Sequence, residues 1–449
     1  MGSRKLSKFS PSRTILLSVF ITIIGGTLLL GLPIARTTYI SWLDLFFTAT
    51  SVTCVTGLFP INIQTSFTRF GHTVLMCLMQ IGALGLITMT LFFMALFVRF
   101  GISTQFMAGQ LLEIERLRNI RKLVISIVTI AIGTELIGAI FMYSQIRNLY
   151  STTDAWFYSL FQAVASFCNA PGVTLLKDGI IPPNNATLLI TSSCLVFFGG
   201  MGFIVWREIL KYAGSIFKKR RHLFTLHSKI VITVSTAIIL SAGALFFLFE
   251  RSNTMANLGF PYQIINSLFH AIVSRSSGVL SVVDLNNFHL TTILLIMIIS
   301  FIGSAPGSPG SGIKVTNLAI FFAAVKATIY GRSHVSIMGR KIAMDQIYKS
   351  ITIIFLSLVW ILTATMLLLI TESAKGWGFL DIIFENISAF ANLGLTTGIT
   401  ETLSTLGKVI VITGMIVGRI GGLTFLLGIR KVYKEKREIT YPEERIMLS

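Results

Sequence analysis

Negative charge is scarce in this chain: 18 aspartates and glutamates stand among 449 residues, against 37 lysines and arginines. Charged residues of both signs make up 12%, where a soluble globular domain carries about 25%. That is too little to clothe a water-soluble protein of this length. Cysteine is also rare. Cys54, Cys77, Cys168 and Cys194 show no paired spacing, which argues against a disulfide framework and against a thiolate metal site. No nucleophile–base set or metal-ligand cluster stands out, so an enzyme is not expected. The glycine-rich stretch 303–312 lacks the Gly-Lys-Ser/Thr ending of a phosphate-binding loop.

Apolar length is what the chain has instead, with 53% hydrophobic residues and a mean hydropathy of +0.79. The apolar residues come in runs near 20, long enough to cross about 30 Å of hydrocarbon at 1.5 Å per residue. The runs are 14–34, 74–98, 123–146, 187–205, 230–249, 351–370 and 409–429, and an eighth, 290–330, is broken by glycines. The first follows a basic start, as a signal peptide does, but it is too long and lacks a small-residue cleavage site. The net charge of +19 would suit nucleic acid if it formed one face. It falls instead in clusters between alternate runs: Arg4 to Arg13, Arg116 to Lys122, Lys218 to Arg221, Arg332 to Lys341 and Arg430 to Arg437. Basic loops mark the cytoplasmic face. The expectation is a multi-pass inner-membrane protein with both termini cytoplasmic, lipid as its surroundings and no nucleic-acid partner.

Between paired runs lie four shorter apolar segments, 42–58, 155–173, 262–279 and 379–395, each too short to span. Each carries a phenylalanine (Phe47, Phe161, Phe269, Phe384), then small and hydroxyl or amide residues, then a glycine (Gly57, Gly172, Gly278, Gly394). The pattern predicts an all-α membrane protein of four M1–P-loop–M2 repeats around a central pore, with eight spanning helices and four pore half-helices. The repeats would cover 1–115, 116–222, 223–342 and 343–449, the last ending in a cytoplasmic tail. Extended backbone after a half-helix leaves polar groups that lipid cannot satisfy, so it must line a wet cavity. Glycine suits the tip because it accepts positive φ. Half-helix C-termini aimed at that cavity would favour a cation.

The four loop sequences are Thr53-Cys54-Val55-Thr56-Gly57, Cys168-Asn169-Ala170-Pro171-Gly172, Arg275-Ser276-Ser277-Gly278 and Ala391-Asn392-Leu393-Gly394. None holds a carboxylate. An acidic selectivity ring is therefore not expected, and main-chain carbonyls remain as ligands for a dehydrated ion. The stretches TATSVTCVTGL, QIGALGLIT, SRSSG, FIGSAPGSPGSGIKVT, SAFANLGL, GRIGGLT and YPEERIM, in that order along nearly the whole chain, resemble the Trk/Ktr/HKT superfamily of potassium transporters. The length resembles its Ktr-type membrane subunits.

That resemblance implies potassium uptake, with sodium dependence in many members and sodium as a second candidate ion. It implies a homodimer of four-repeat subunits on a cytoplasmic ring of nucleotide-binding, KtrA-like (RCK/KTN) regulatory subunits. Filter residues carried over are Cys54, Val55, Thr56, Gly57, Asn169, Ala170, Gly172, Ser276, Ser277, Gly278, Asn392, Leu393 and Gly394. Gly57 resembles potassium-selective members; sodium-selective plant relatives carry serine there. The second loop departs from the usual Asn-Ala-Gly-Phe. Either a proline is inserted before Gly172, or Pro171 takes the glycine position. In the third loop Val279 stands where an aromatic is usual.

The run 303–312 interrupts the last apolar stretch of the third unit, and no helix survives so much Gly and Pro. At membrane depth it must line a cavity. The expectation is a loop below the filter that obstructs the path. The resemblance implies a gating loop over 303–313, with Gly303, Ser304, Gly307, Gly310, Gly312, Lys314 and Arg419 as gate residues. Arg419 is a charge inside an apolar run, which costs about 2.5–3.5 kcal/mol on insertion scales. It is expected beside that loop, or alternatively in an ion pair with Glu135. Lys314 is expected to snorkel to the cytoplasmic surface rather than reach the cavity. Asp44, Asp154 and Asp381 read as first-turn stabilisers of the half-helices. A sodium-coupled alternating-access transporter is the competing reading, but such proteins show two inverted repeats, whereas four same-sense units favour a pore. A sodium-conducting relative is the other, and Gly57 argues against it.

Overall fold

The computed structural model describes residues 11–85, 120–170, 175, 181–217, 223–277 and 285–429. These are mostly helical. The longer helices are α1 (Pro11–Leu30), α2 (Trp42–Thr53), α3 (Arg69–Leu84), α4 (Ile120–Ile146), α5 (Thr152–Phe167), α6 (Ala186–Gly200), α7 (Phe203–Phe217), α8 (Leu226–Glu250), α9 (Phe260–Val273), α10 (Leu290–Phe301), α11 (Val315–Ile329), α12 (Met344–Thr371), α13 (Phe379–Ala391), α14 (Thr405–Ile420) and α15 (Gly422–Ile429). A small hairpin pairs Ser336–Ile337 with Arg340–Lys341.

Three described stretches, Val124–Ile146, Leu226–Glu250 and Met344–Thr371, are each long and apolar enough to cross a bilayer. Helices α2, α5, α9 and α13 have 12, 16, 14 and 13 residues, or roughly 18–24 Å at 1.5 Å per residue. They fall on the four short segments. Their starts are fixed by local chemistry. Ser41 and Ser151 cap α2 and α5 by accepting from the Asp44 and Asp154 amides, and Asp381 accepts from the Gly378 amide at 3.1 Å. The three aspartates thus stabilise first turns, as expected. Two also pair across units: Asp44 with Lys408 at 2.6 Å and Asp154 with Arg69 at 3.4 Å.

Several apolar runs prove not to be continuous. The expected span 187–205 breaks at Met201-Gly202, where α6 and α7 meet at 103°. The run 409–429 breaks at Gly421, and 290–330 is cut by an irregular segment between α10 and α11. Helix α3 ends at Leu84, followed by Gly85 at φ 81°; the remainder of the 74–98 run lies outside the described residues.

Packing closes the short helices into a ring. Helix α3 packs on α5, α6 on α9, α10 on α13 and α14 on α2. Phe47, Phe161, Phe269 and Phe384, the phenylalanines of the four segments, are all buried to 1% exposure or less. One buried cluster joins Phe47 with Phe161 and Ile382, a second joins Phe167 with Phe269, and a third joins Phe246 with Phe384. Lipid supplies no hydrophobic drive between helices, so close packing of these rings carries the association.

The start of each second helix is tied back to the end of the first. The Thr68 hydroxyl donates to the Ile34 carbonyl at 2.6 Å and the Asn185 amide to Gln145 Oε1 at 3.3 Å. The later units use carboxylates: Glu250 accepts from the His289 amide at 3.0 Å, and Glu372 from the Ser404 amide at 3.2 Å.

Candidate cation pathway

At the ends of α2, α5 and α13 the chain makes the same turn. Val55, Asn169 and Asn392 take left-handed conformations at φ 63°, 61° and 52°. The following amide then reaches back five residues: Thr56 to the Ser51 carbonyl at 2.7 Å, Ala170 to Ala165 at 2.7 Å, and Leu393 to Ser388 at 2.8 Å. A β-branched residue such as Val55 rarely sits there, and such strain costs on the order of 1–3 kcal/mol and persists only where the surroundings impose it. The third loop turns differently, with the Ser276 and Ser277 amides both directed at the Val273 carbonyl, at 3.3 and 2.9 Å.

Reversing the hand frees the carbonyls that follow from helical partners. Among the described residues, none donates to the main-chain carbonyls of Val55, Thr56, Gly57, Asn169, Ala170, Ser276, Ser277, Asn392, Leu393 or Gly394. The residues carrying these oxygens are buried. Unpaired buried main-chain groups are rare in folded proteins; here they gather just past the ends of the four short helices. The loops also touch. The Asn392 side-chain amide donates to the Cys54 carbonyl at 2.6 Å, and a Cβ added to Gly394 would lie 2.1 Å from the Thr56 carbonyl oxygen. The Ser277 hydroxyl donates to Asn169 Oδ1 at 3.4 Å.

This common turn sets the register of the second loop. Two residues after Val55 and Asn392 come Gly57 and Gly394; two residues after Asn169 comes Pro171. Proline therefore falls in the glycine frame, and Gly172 one residue later. A paired change accompanies it. The Gly57 amide donates to the Ser51 hydroxyl at 3.1 Å and the Gly394 amide to the Ser388 hydroxyl at 3.1 Å. In the second loop the serine position is Ala165, and proline has no N–H. Donor and acceptor are absent together, so no buried group is left unpaired by the exchange. Pro171, Gly172, Gly278 and Val279 themselves lie outside the described residues.

Two of the stretches that carry the resemblance share with a third a glycine spacing that was not noticed in the sequence. Gly82-Ala83-Leu84-Gly85, Gly199-Gly200-Met201-Gly202 and Gly418-Arg419-Ile420-Gly421 share Gly-x-x-Gly spacing. A Cβ on the first glycine of each would lie 2.0 Å from the Thr53 carbonyl oxygen, 2.0 Å from that of Phe167 and 1.8 Å from that of Phe390. These carbonyls stand at the C-terminal ends of α2, α5 and α13. The second glycine of each takes φ 81°, 83° and 87°, and ends its helix. The first glycine seats the helix on the loop that follows the short helix; at Gly202 the chain then turns by 103°, and at Gly421 the helix breaks. Internal repetition of Gly-x-x-Gly after the second apolar stretch of a unit was the available signal.

In the third unit the bend is replaced by a loop. Ile302 and Ile313 form an isolated parallel bridge, with Gly303 N–H donating to the Ile313 carbonyl at 2.9 Å. The loop between carries Ser304, Gly307, Gly310 and Gly312; Gly307 is exposed, at φ 70°. The Ala305 amide reaches the Gly200 carbonyl and the Phe203 amide reaches the Gly307 carbonyl, both at 3.1 Å, wedging the loop into the α6–α7 bend. Arg419 donates to the Pro309 and Gly82 carbonyls, and to that of Ala83 at 3.4 Å. It does not pair with Glu135, whose carboxylate accepts from Gln80 at 3.2 Å. The half-buried Lys314 donates from its ammonium to the Gly310 carbonyl of the same loop. The four cysteines are free, and no cluster of potential metal ligands exists among the described residues.

A family model described as TrkH, cation transport protein, matches residues 19–438. The Ktr system potassium uptake protein B of Vibrio alginolyticus is 36% identical over 450 residues, covering 99% of this chain and 96% of the relative. That of Bacillus subtilis is 34% identical over 446 residues, covering 98% and 97%. The potassium/sodium uptake protein NtpJ of Enterococcus hirae is 32% identical over 455 residues, covering 100% and 99%. Among solved structures, the potassium transporter TrkH from Vibrio parahaemolyticus superposes with a TM-score of 0.71 at 16% identity, covering 96% of this chain and 87% of that one.

Proposed function

The chain belongs to the TrkH family of cation transport proteins, and from that premise we propose that it is the membrane subunit of a Ktr-type potassium uptake system, conducting potassium through one central pore. The observation that carries this reading is the set of unpaired main-chain carbonyls at the loop tips of Gly57, Ala170, Ser277 and Gly394. Such oxygens can replace the hydration shell of a potassium ion without the long residence that a carboxylate ring would impose. The short helices end at these tips, and each contributes about half a negative charge.

In this reading the four units, 1–115, 116–222, 223–342 and 343–449, are M1–P–M2 repeats, with eight spanning helices and both termini on the cytoplasmic side of the cell membrane. The loop 303–313 obstructs the path below the filter. Arg419 braces it through Pro309 and adds a positive charge that a passing cation must meet. At about 4 Å and an effective dielectric near 20, that repulsion is roughly 4 kcal/mol. Opening therefore requires the loop and the guanidinium to move together. A homodimer on a cytoplasmic ring of nucleotide-binding subunits would supply the force, and the names of the Ktr relatives support a partner subunit. Sodium enters as a coupling or second permeant ion, in keeping with the name of the Enterococcus relative.

Rubidium uptake into proteoliposomes, with and without sodium, tests the proposal. Uptake should saturate with rubidium and disappear in Gly57→Asp. Sodium influx exceeding rubidium influx would overturn the potassium assignment.

A further inference from the structure

One buried charge has no part in the pathway described above. Arg275 stands in the third filter loop, directly before Ser276 and Ser277, and is 7% exposed. Among the described residues it makes no ion pair. Its Nη2 donates to the Gly303 carbonyl at 3.0 Å and to the Ser235 hydroxyl at 3.4 Å, while its Nε has no partner. The next residue holds the other side of the same loop: the Ser311 amide donates to the Ser276 hydroxyl at 3.2 Å.

Gly303 and Ser311 form the neck of the loop. A Cβ on Gly303 would lie 1.7 Å from the Ser311 carbonyl oxygen, and one on Gly310 would lie 3.1 Å from Ser276 Oγ. Two consecutive filter residues thus grip both strands of the neck. Beside them lies a cavity of about 10 Å³, bounded by Asn169, Gly200, Ser277 and Ser304, which is room for about one water.

We propose that Arg275 and Ser276 are positioning residues that latch the loop 303–313 to the third filter loop, so that displacing the loop also changes the geometry of that quarter of the filter. The inference rests on the pore-and-gate reading. A guanidinium buried without a counter-ion is tolerable only while its donors are satisfied. When Gly303 moves away, Arg275 must find other acceptors, and the unpaired Ser276 and Ser277 carbonyls lie on its own loop. Gating and ion preference would then be linked through one side chain.

Rubidium and sodium tracer influx into proteoliposomes of the full chain, without regulatory subunits, tests the latch. Ser276→Ala should raise rubidium influx about fivefold, the population shift for one lost neutral hydrogen bond. Ser276→Thr, which keeps the hydroxyl, should reverse most of that rise. In a chain whose 303–312 segment is shortened, Ser276→Ala should add less than about twofold, because coupled sites are not additive. Arg275→Gln should lower the rubidium-to-sodium ratio, and Arg275→Lys should do so less. If Arg275→Gln does not fold, the Ser276 set still decides. Unchanged or lower influx in Ser276→Ala, or the same fivefold rise in the shortened chain, overturns the latch. Absence of rubidium influx in the wild type instead overturns the pore reading beneath it.

Discussion

The first and fourth loops brace themselves and each other, whereas the second and third lack part of that bracing. In the outer pair a left-handed residue, a serine hydroxyl clasping a glycine amide and a glycine-seated second helix are all present. The second loop keeps the left-handed residue and the seat but has Ala165 and Pro171 where the clasp would be. The third has neither a left-handed residue among those described nor a single-glycine bend, and is gripped by the loop 303–313 instead. One repeated scaffold thus carries unequal internal support, and the loop with least of its own is the one held by the segment between α10 and α11.

The harshest way to break this comparison is to unseat a self-supporting loop. Gly418→Ala places a methyl 1.8 Å from the Phe390 carbonyl oxygen. Overpacking of that kind costs about 1–3 kcal/mol or more, and rubidium influx should fall to background with a lowered Tm. Gly133→Ala on α4, where nothing lies within 4 Å, should leave both near wild type. Equal behaviour of the two would remove the seat from the account.

Releasing the borrowed support should act in the opposite direction. Replacing 303–312 with a shorter linker is expected to raise influx severalfold in protein that still elutes as a folded species. Lower or unchanged influx in such protein would mean that this loop is not the obstruction.

A third effect concerns the ties between helices, carboxylate in the later units and neutral in the earlier ones. Burial opposes the charge on Glu372, but hydrogen bonds from Ser404 and the ammonium of Lys375 outweigh it and hold its pKa below the usual carboxylate value. A depressed pKa contributes stability above the unfolded value, near 4.3, that is lost as pH falls through the folded one. Glu372→Gln should therefore lower stability by about 1–3 kcal/mol at neutral pH, and the gap should narrow as pH falls below the unfolded value. A pH-independent gap in Tm would assign the loss to packing.

The smallest effect sharpens the comparison most. Pro171→Gly alone exposes a new amide with no acceptor, while the double change with Ala165→Ser rebuilds the clasp of the outer loops. A double-mutant cycle on Tm should give a favourable coupling of about 1 kcal/mol. Additivity would show that the two positions do not face each other.

Much of this was legible in the sequence. The four short helices fall on the four short apolar segments, and their phenylalanines are buried, because apolar length and the switch to small polar residues are local signals. The helix ends at Leu84 and Ile420 and the turn at Gly202 were not, since a helix interrupted at a glycine keeps its apolar composition up to and past the break. The Lys314 contact to the Gly310 carbonyl was not legible either, because its stem can reach either way. The Pro171 frame is open in the letters, where two alignments fit; Asn169 shares the left-handed turn of Val55 and Asn392, and Pro171 lies outside the described residues.

The central claim is that main-chain oxygens from all four loops meet at one ion. Anomalous diffraction from rubidium-soaked crystals tests it directly. The account predicts a peak within coordination distance of carbonyls from the Gly57, Ala170, Ser277 and Gly394 tips at once. A peak held by carboxylates, or touching a single loop, would contradict it.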